Sequence, residues 1–286
     1  MHYFGTYTDS ALAPHDLFAG HSEGYRRAML IGPDQGSVHT GVTIAQLDPG
    51  GLLQPHVHSF EEGFYILEGE AVVVIKDQTV RLGPGDYGVC KVGEPHAIRA
   101  VGGSRLRWLQ MNAPQPKGPA GPRDTFFLPD RPVPSEAPRL ADAHPQGVLL
   151  AHFDSSQIPP VGERTTAVKG LEGVFLKWII DEHFGAVHHR MVFIEYQPGV
   201  GIALHDHTFE EGYFIVSGEV EATADGKVYR VKAGDVFWTG VGCVHAFKNV
   251  SDTPVLWLET FAPQPPRENV FRFVAEWETR ARELEG

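Results

Sequence analysis

Cysteine is nearly missing from this chain, which has Cys90 and Cys243 and no others. Two cysteines cannot form a disulfide framework, so stability must come from hydrophobic cores. Both are read as ordinary thiols. Long apolar runs are missing too. None approaches the roughly 20 residues a helix needs to span a bilayer. The start, Met1-His2-Tyr3-Phe4-Gly5-Thr6, lacks the basic and apolar segments of a signal peptide. These features predict a soluble cytoplasmic protein with no membrane partner. Positive charge is also scarce: 24 Lys and Arg face 36 Asp and Glu, for a net charge of −12. That balance speaks against a nucleic-acid partner, whose phosphates would need neutralising, and against a polybasic membrane anchor.

What the chain has in plenty is turn-formers. The 286 residues include 32 glycines and 22 prolines, well above the roughly 12% sum of an average chain. Hydrophobic residues reach 42%, enough for proper cores and too many for a disordered chain. An all-β fold with frequent turns is predicted.

A shift of 149 residues lays the sequence on itself. Positions 31–116 match 180–265 with 29 identities and no gap. Pro49-Gly50 falls on Pro198-Gly199, Gly85-Asp86 on Gly234-Asp235, and Ala113-Pro114-Gln115-Pro116 on Ala262-Pro263-Gln264-Pro265. Two copies at so long a period mean a duplicated domain, not a solenoid. The predicted layout is an N-terminal barrel with its arm over 1–116, a proline-rich connector over 117–147, a second barrel over 148–265, and a C-terminal helix over 266–286. Residues 1–30 are expected to wrap the first barrel. The connector carries Pro119, Pro122, Pro129, Pro132, Pro134, Pro138 and Pro145, which read as unable to pair in a sheet. In the tail, Val270, Phe273, Val274, Trp277, Ala281 and Leu284 have helical spacing, predicting one amphipathic helix over 268–284.

Within each copy short apolar runs alternate with turn signals. In the first, strands are predicted over 63–68, 71–75, 79–82, 87–91, 96–101 and 106–111. In the second, Asp225-Gly226 marks a hairpin and would set Arg230 opposite Glu221. Strands at this spacing indicate a sandwich or small barrel.

The candidate site lies in the repeat. His56 and His58 share one face of a strand, Glu62 has the same parity, and His96 sits on a later strand. His205, His207, Glu211 and His245 recur at identical spacings. One His-x-His alone often marks only a surface strand, but the whole set twice in register predicts metal binding. Three imidazoles and a carboxylate suit Fe, Mn, Co, Ni or Zn, so one divalent transition metal is expected per barrel. Phe64, Ile66 and Ile98, then Tyr213, Ile215 and Phe247, share parity with the ligands; Phe60 and Phe209 lie between them. They could line largely apolar cavities or simply pack the core. His39 and His188, also matched, could contact substrate or lie on the surface.

These residues resemble the motifs of the cupins, and of their two-barrel members, the bicupins. Gly50, His56, His58, Glu62 and Gly69 fit the first motif, as do Gly199, His205, His207, Glu211 and Gly218. Gly85, Gly93 and His96 fit the second, as do Gly234, Gly242, His245 and Asn249; Lys91, Gly240 and Ala100 depart from it. The resemblance implies two tandem jelly-roll barrels of the double-stranded β-helix type, each holding a metal.

The retained glutamate makes the set resemble quercetinases, acireductone dioxygenases, oxalate decarboxylases and several isomerases. The expected function is a metal-dependent dioxygenase acting on a small enolic or aromatic substrate. A metal-dependent isomerase, decarboxylase or hydrolase is the alternative, and a non-catalytic binding or storage bicupin the second alternative. Glu62 and Glu211 would stay bound or swing off to take a substrate proton. Tyr213 stands where the first copy has Phe64, and Asn249 where it has Ala100. The Tyr213 hydroxyl could steady a developing anion, so the second barrel is expected to be the more active. The two barrels are expected to cover each other's sheet edges, and a homodimer of the chain is a further expectation.

Overall fold

The computed structural model describes residues 1–115, 124–129, 131–163, 173–265 and 270–276. The first repeat runs Glu61–Glu68, Glu70–Ile75, Gln78–Leu82, Asp86–Cys90, His96–Val101 and Leu106–Ala113. The second runs Glu210–Ser217, Glu219–Ala224, Lys227–Lys232, Asp235–Thr239, His245–Lys248 and Val255–Ala262. Strand and turn alternate as the apolar periodicity requires. Asp225 (φ 47°) and Gly226 (φ 76°) both take the left-handed backbone of a two-residue hairpin, and Glu221 faces Arg230 across it. Gly69 and Gly218 also have positive φ, and a Cβ there would strike the backbone of Arg105 and Pro254. Only glycine suits these two matched turns.

In the first barrel a single strand, Gly41–His58, bends through both layers. Its first half pairs with Leu106–Ala113 and its second with His96–Val101. In the second barrel the corresponding chain is broken into Arg190–Tyr196 and His205–Asp206, which belong to separate sheets. Each barrel has its own apolar interior, around Leu53, Ile66 and Trp108 in the first and Val192, Phe237 and Trp257 in the second. A third cluster joins them: Ile31, Val42, Ile44 and Met111 meet Ile180, Met191, Phe193 and Trp238. The outward faces of one sheet from each barrel thus make a shared core.

The arms cross. Ser22–Ile31 lies on the first barrel as expected, but His2–Thr6 pairs with Asp235–Thr239 of the second. Reciprocally, Leu149–His152 pairs with Asp86–Cys90 of the first. Each arm satisfies an edge that its neighbour would otherwise leave open. Two buried carboxylates tie the barrels further. Glu61 accepts hydrogen bonds from the Val187 and His188 amides at 2.8 and 3.0 Å and lies 2.7 Å from His189 Nδ1. Glu210 accepts from the Val38, His39 and Thr40 amides and the Ser37 hydroxyl.

Two expectations need correction. The connector does pair in a sheet, because Thr125–Phe127 falls in a proline-free window and lies antiparallel to His56–His58. The described part of the tail is not one helix: Arg272–Phe273 is a strand, and 274–276 are helical. Phe271 and Phe273 pack against the His205 ring while Arg272 makes two hydrogen bonds to Asp206. A period-two arrangement around fixed partners overrode the weaker helical spacing. Residues 268–269 and 277–284 of that predicted helix lie outside the described residues, as do 117–123 and 130 of the connector. Among the described residues no helix is long and apolar enough to cross a membrane.

Candidate metal centres

His56 and His96 face each other on adjacent antiparallel strands, and so do His205 and His245. In each barrel the second histidine, His58 or His207, completes a triad whose ligating nitrogens lie within 4.8 Å of one another. Ring centroids are 4.2, 4.8 and 5.0 Å apart in the first triad and 4.3, 4.8 and 5.3 Å in the second. The glutamates complete both sets. Glu62 Oε2 is 3.2 Å from His58 Nε2; Glu211 Oε1 is 3.0 Å from His207 Nε2 and its Oε2 is 3.0 Å from His245 Nε2. All eight side chains are buried.

The outward nitrogens decide what these centres can hold. His56, His96, His205, His207 and His245 turn Nδ1 to the backbone carbonyls of Gln54, Glu94, Ala203, Val270 and Cys243, at 2.6–2.9 Å. A carbonyl only accepts, so Nδ1 carries the proton and the Nε2 lone pair points inward. His58 Nδ1 meets Thr125 Oγ1 at 2.9 Å. The buried Nε2 atoms of His58, His96 and His207 make no hydrogen bond. Imidazole lone pairs and carboxylate oxygens about 3 Å apart repel unless a cation lies between them. The donor set therefore fits a divalent transition ion.

The electrostatics agree. Burial, reinforced by neighbouring imidazoles, holds His56 well below its ordinary pKa and lowers His205 to about 3. Both are neutral and ready to bind. Burial alone would raise Glu62, but His58 and His96 outweigh it and bring it to about 2. Glu211 is likewise drawn well below the carboxylate range, against its burial, by His207 and His245.

The surroundings differ. Beside the first centre lies a cavity of about 30 Å³, bounded by His56, Glu62 and His96, by Gln110 and Cys90, and by apolar groups including Phe64, Ile98 and Trp108. Beside the second, Tyr213 packs on Phe247 at 4.6 Å, and Phe237 stands where the first barrel has Gly88. Tyr213 Oη donates to Glu211 Oε2 at 2.6 Å and lies 3.2 Å from His245 Nε2; Thr239 adds a 3.2 Å bond to the same oxygen. Asn249 does not reach the centre. It donates to the carbonyls of Tyr196 and Thr253 and shapes the turn after the His245 strand.

Several supports were not foreseen. Gln110 helps to lower Glu62, and its repeat partner Glu259 interacts with Glu211. Burial, then the Glu211 charge, raises Glu259 well above its ordinary pKa, so it stays protonated. An amide in one barrel and a carboxylic acid in the other thus neighbour the ligand carboxylate. Their position two residues after matched Trp108 and Trp257 was a usable signal. Phe60 and Phe209 stack on His58 and His207 at 4.3 and 4.6 Å. His39 and His188 contribute backbone amides to the barrel interface.

Among solved structures, oxalate decarboxylase from Lactobacillus farciminis, in a formate complex, superposes with a TM-score of 0.65 at 18% identity. It covers 97% of this chain and 90% of its own. A mutant of Bacillus subtilis oxalate decarboxylase gives 0.66 at 19% identity, over 98% and 82%. An oxalate-binding protein of Thermotoga maritima is 32% identical over 109 residues, which is 36% of this chain and 87% of that protein. The cupin domain model matches residues 43–112 and again 192–261, each match spanning one centre's ligands. The chain belongs to the cupin family, as a two-barrel member with one cupin domain in each half.

Proposed function

We propose that the chain is a metal-dependent enzyme acting on a compact enol or carboxylate at the first-barrel centre. The cavity against His56, Glu62 and His96 carries this reading, because it leaves room next to the donors. At about 30 Å³ it admits a small fragment, with no room for a polycyclic flavonol unless side chains move. His56, His58, His96 and Glu62 would hold the ion, which when bound supplies Lewis acidity to a substrate oxygen. Phe64, Ile98 and Trp108 exclude water and keep the site's effective dielectric low. Glu62 is the proton acceptor, and Gln110 steadies it. Glu211 and Tyr213 hold the second centre, which serves mainly as support. This reverses the activity ranking expected from Tyr213, because that hydroxyl is spent on Glu211.

Dioxygenation of an enol is the first reading. Among the described residues no Lys or Arg lines the cavity, so they offer a dianion no counter-charge beyond the ion. Decarboxylation is the second reading, favoured by the oxalate-binding relative. Oxygen uptake and carbon dioxide release, measured with enols and with oxalate after metal loading, separate the two. Uptake with an enol supports dioxygenation, and carbon dioxide from oxalate supports decarboxylation. Calorimetric binding of either compound without turnover would replace both with a binding function.

A further inference from the structure

Three side chains with metal-binding chemistry meet away from both cupin centres. His2, Asp225 and Cys243 place their ligating atoms within 4.8 Å of one another. They come from three elements: the crossed strand His2–Thr6, the hairpin turn after Glu219–Ala224, and the turn before His245–Lys248. His2 Nδ1 is 2.9 Å from Asp225 Oδ2, and its Nε2 is 2.7 Å from Tyr229 Oη. When Nε2 carries the proton and gives it to the Tyr229 oxygen, the Nδ1 lone pair faces the other two donors. A hydrogen bond on the outer nitrogen is how proteins orient a ligating imidazole. The end of the strand is also fixed, since the Met1 carbonyl accepts from the Gly240 amide at 2.9 Å. Cys243 is 1% exposed, and the Met1 amino group lies 3.1 Å from Asp225.

We propose that His2, Asp225 and Cys243 form a third site, for a divalent ion of the zinc class, sharing no donor with the cupin centres. One imidazole, one carboxylate and one thiolate make a borderline-soft donor set, which zinc accepts and hard ions such as magnesium do not favour. The remaining position is open to water. On binding, the sulfur–metal bond forms as the thiol proton passes to solvent, and no electron is transferred. The site bolts the crossed strand to the second barrel at the point where its backbone pairing begins.

Cobalt(II) added alone to the whole protein tests this, because sulfur-to-cobalt absorption in the near ultraviolet reports thiolate ligation and the cupin donors are nitrogen and oxygen. The band is expected as a third equivalent fills. It should vanish in Cys243→Ser, persist in Cys90→Ser, and need at least about tenfold more cobalt in His2→Ala. The Cys90 variant is included because that thiol borders the first cavity. His2→Ala keeps the sulfur, so it remains decisive if Cys243→Ser fails to fold. No sulfur band at three equivalents, or a band unchanged by Cys243→Ser or His2→Ala, overturns the proposal. The readout is independent of turnover, so failure of the enzymatic reading leaves it standing.

Discussion

The open space beside Glu62 and the ring-filled space beside Glu211 are built on equivalent strands with the same ligand spacing. The differences lie one layer back. Gly88 becomes Phe237, Phe64 becomes Tyr213, Ile98 becomes Phe247, and Cys90 becomes Thr239. Each change in the second barrel adds bulk or a hydroxyl next to the centre, and the Tyr213 and Thr239 hydroxyls bind Glu211. A carboxylate held by two hydroxyls and two imidazoles is a poor proton acceptor. Glu62, held through His58 and Gln110, has more freedom and faces a cavity. Duplication thus preserved the donors while packing left different space beside the two centres.

The largest expected effect breaks or confirms that division. Glu62→Gln should lower kcat by roughly 10²–10⁴, the usual worth of a general base, whereas Glu211→Gln should cost far less. Metal content must be measured alongside, with His96→Ala and His245→Ala each losing one equivalent. Equal kinetic losses for the two glutamine variants would show two working centres, and the reverse order would return activity to the second barrel. Next, Phe64→Tyr gives the first barrel the hydroxyl of the second. It should reduce kcat/KM by roughly 10–10²-fold, as small misplacements at reacting groups do. Turnover equal to the parent would mean that the hydroxyl does not set the difference.

The barrel interface comes third. Glu61→Ala and Glu210→Ala should each cost about 3 kcal/mol, because each strands buried donors from the other barrel. Urea unfolding measures this, and losses below about 1 kcal/mol at both sites would dismiss the carboxylates as fasteners. The smallest effect concerns Glu70, which is paired with Arg81 and with Arg139 of the connector; Glu219, its counterpart, is paired with Arg230. Arg139→Ala should cost under about 1 kcal/mol, as surface pairs do. Arg81, then Arg139, holds the Glu70 carboxyl below its ordinary 4.5. Its contribution is therefore whole above that value and fades as pH falls through the lowered one. Acid titration of stability in Glu70→Gln should lack this part of the slope.

Much of the fold was legible because strands announce themselves by local alternation and turns by glycine. The predicted first-repeat strands differ from Glu61–Glu68, Glu70–Ile75, Gln78–Leu82 and their successors by at most two residues. The Arg230–Glu221 register followed from one hairpin dipeptide, although the arginine's ion pair goes diagonally to Glu219. Less legible were features that depend on distant partners. Thr125–Phe127 looked like connector, yet it braces His56 and His58. Glu61 and Glu210 looked like spare neighbours of the ligands, yet strand alternation turns them outward into the other barrel.

The sequence by itself determined the duplication, the strand-rich pattern and the spacing of the two candidate donor sets. These rest on strand alternation and on spacing within one motif, which short-range backbone geometry enforces. The tertiary structure decided the crossing of the arms, the protonated partner at Glu259, and which centre kept its space. Those depend on contacts between residues far apart in the chain, such as His2 with Tyr229 and Leu149 with Val89. No local periodicity encodes such pairings, since they exist only once two packed barrels bring their edges and interiors together.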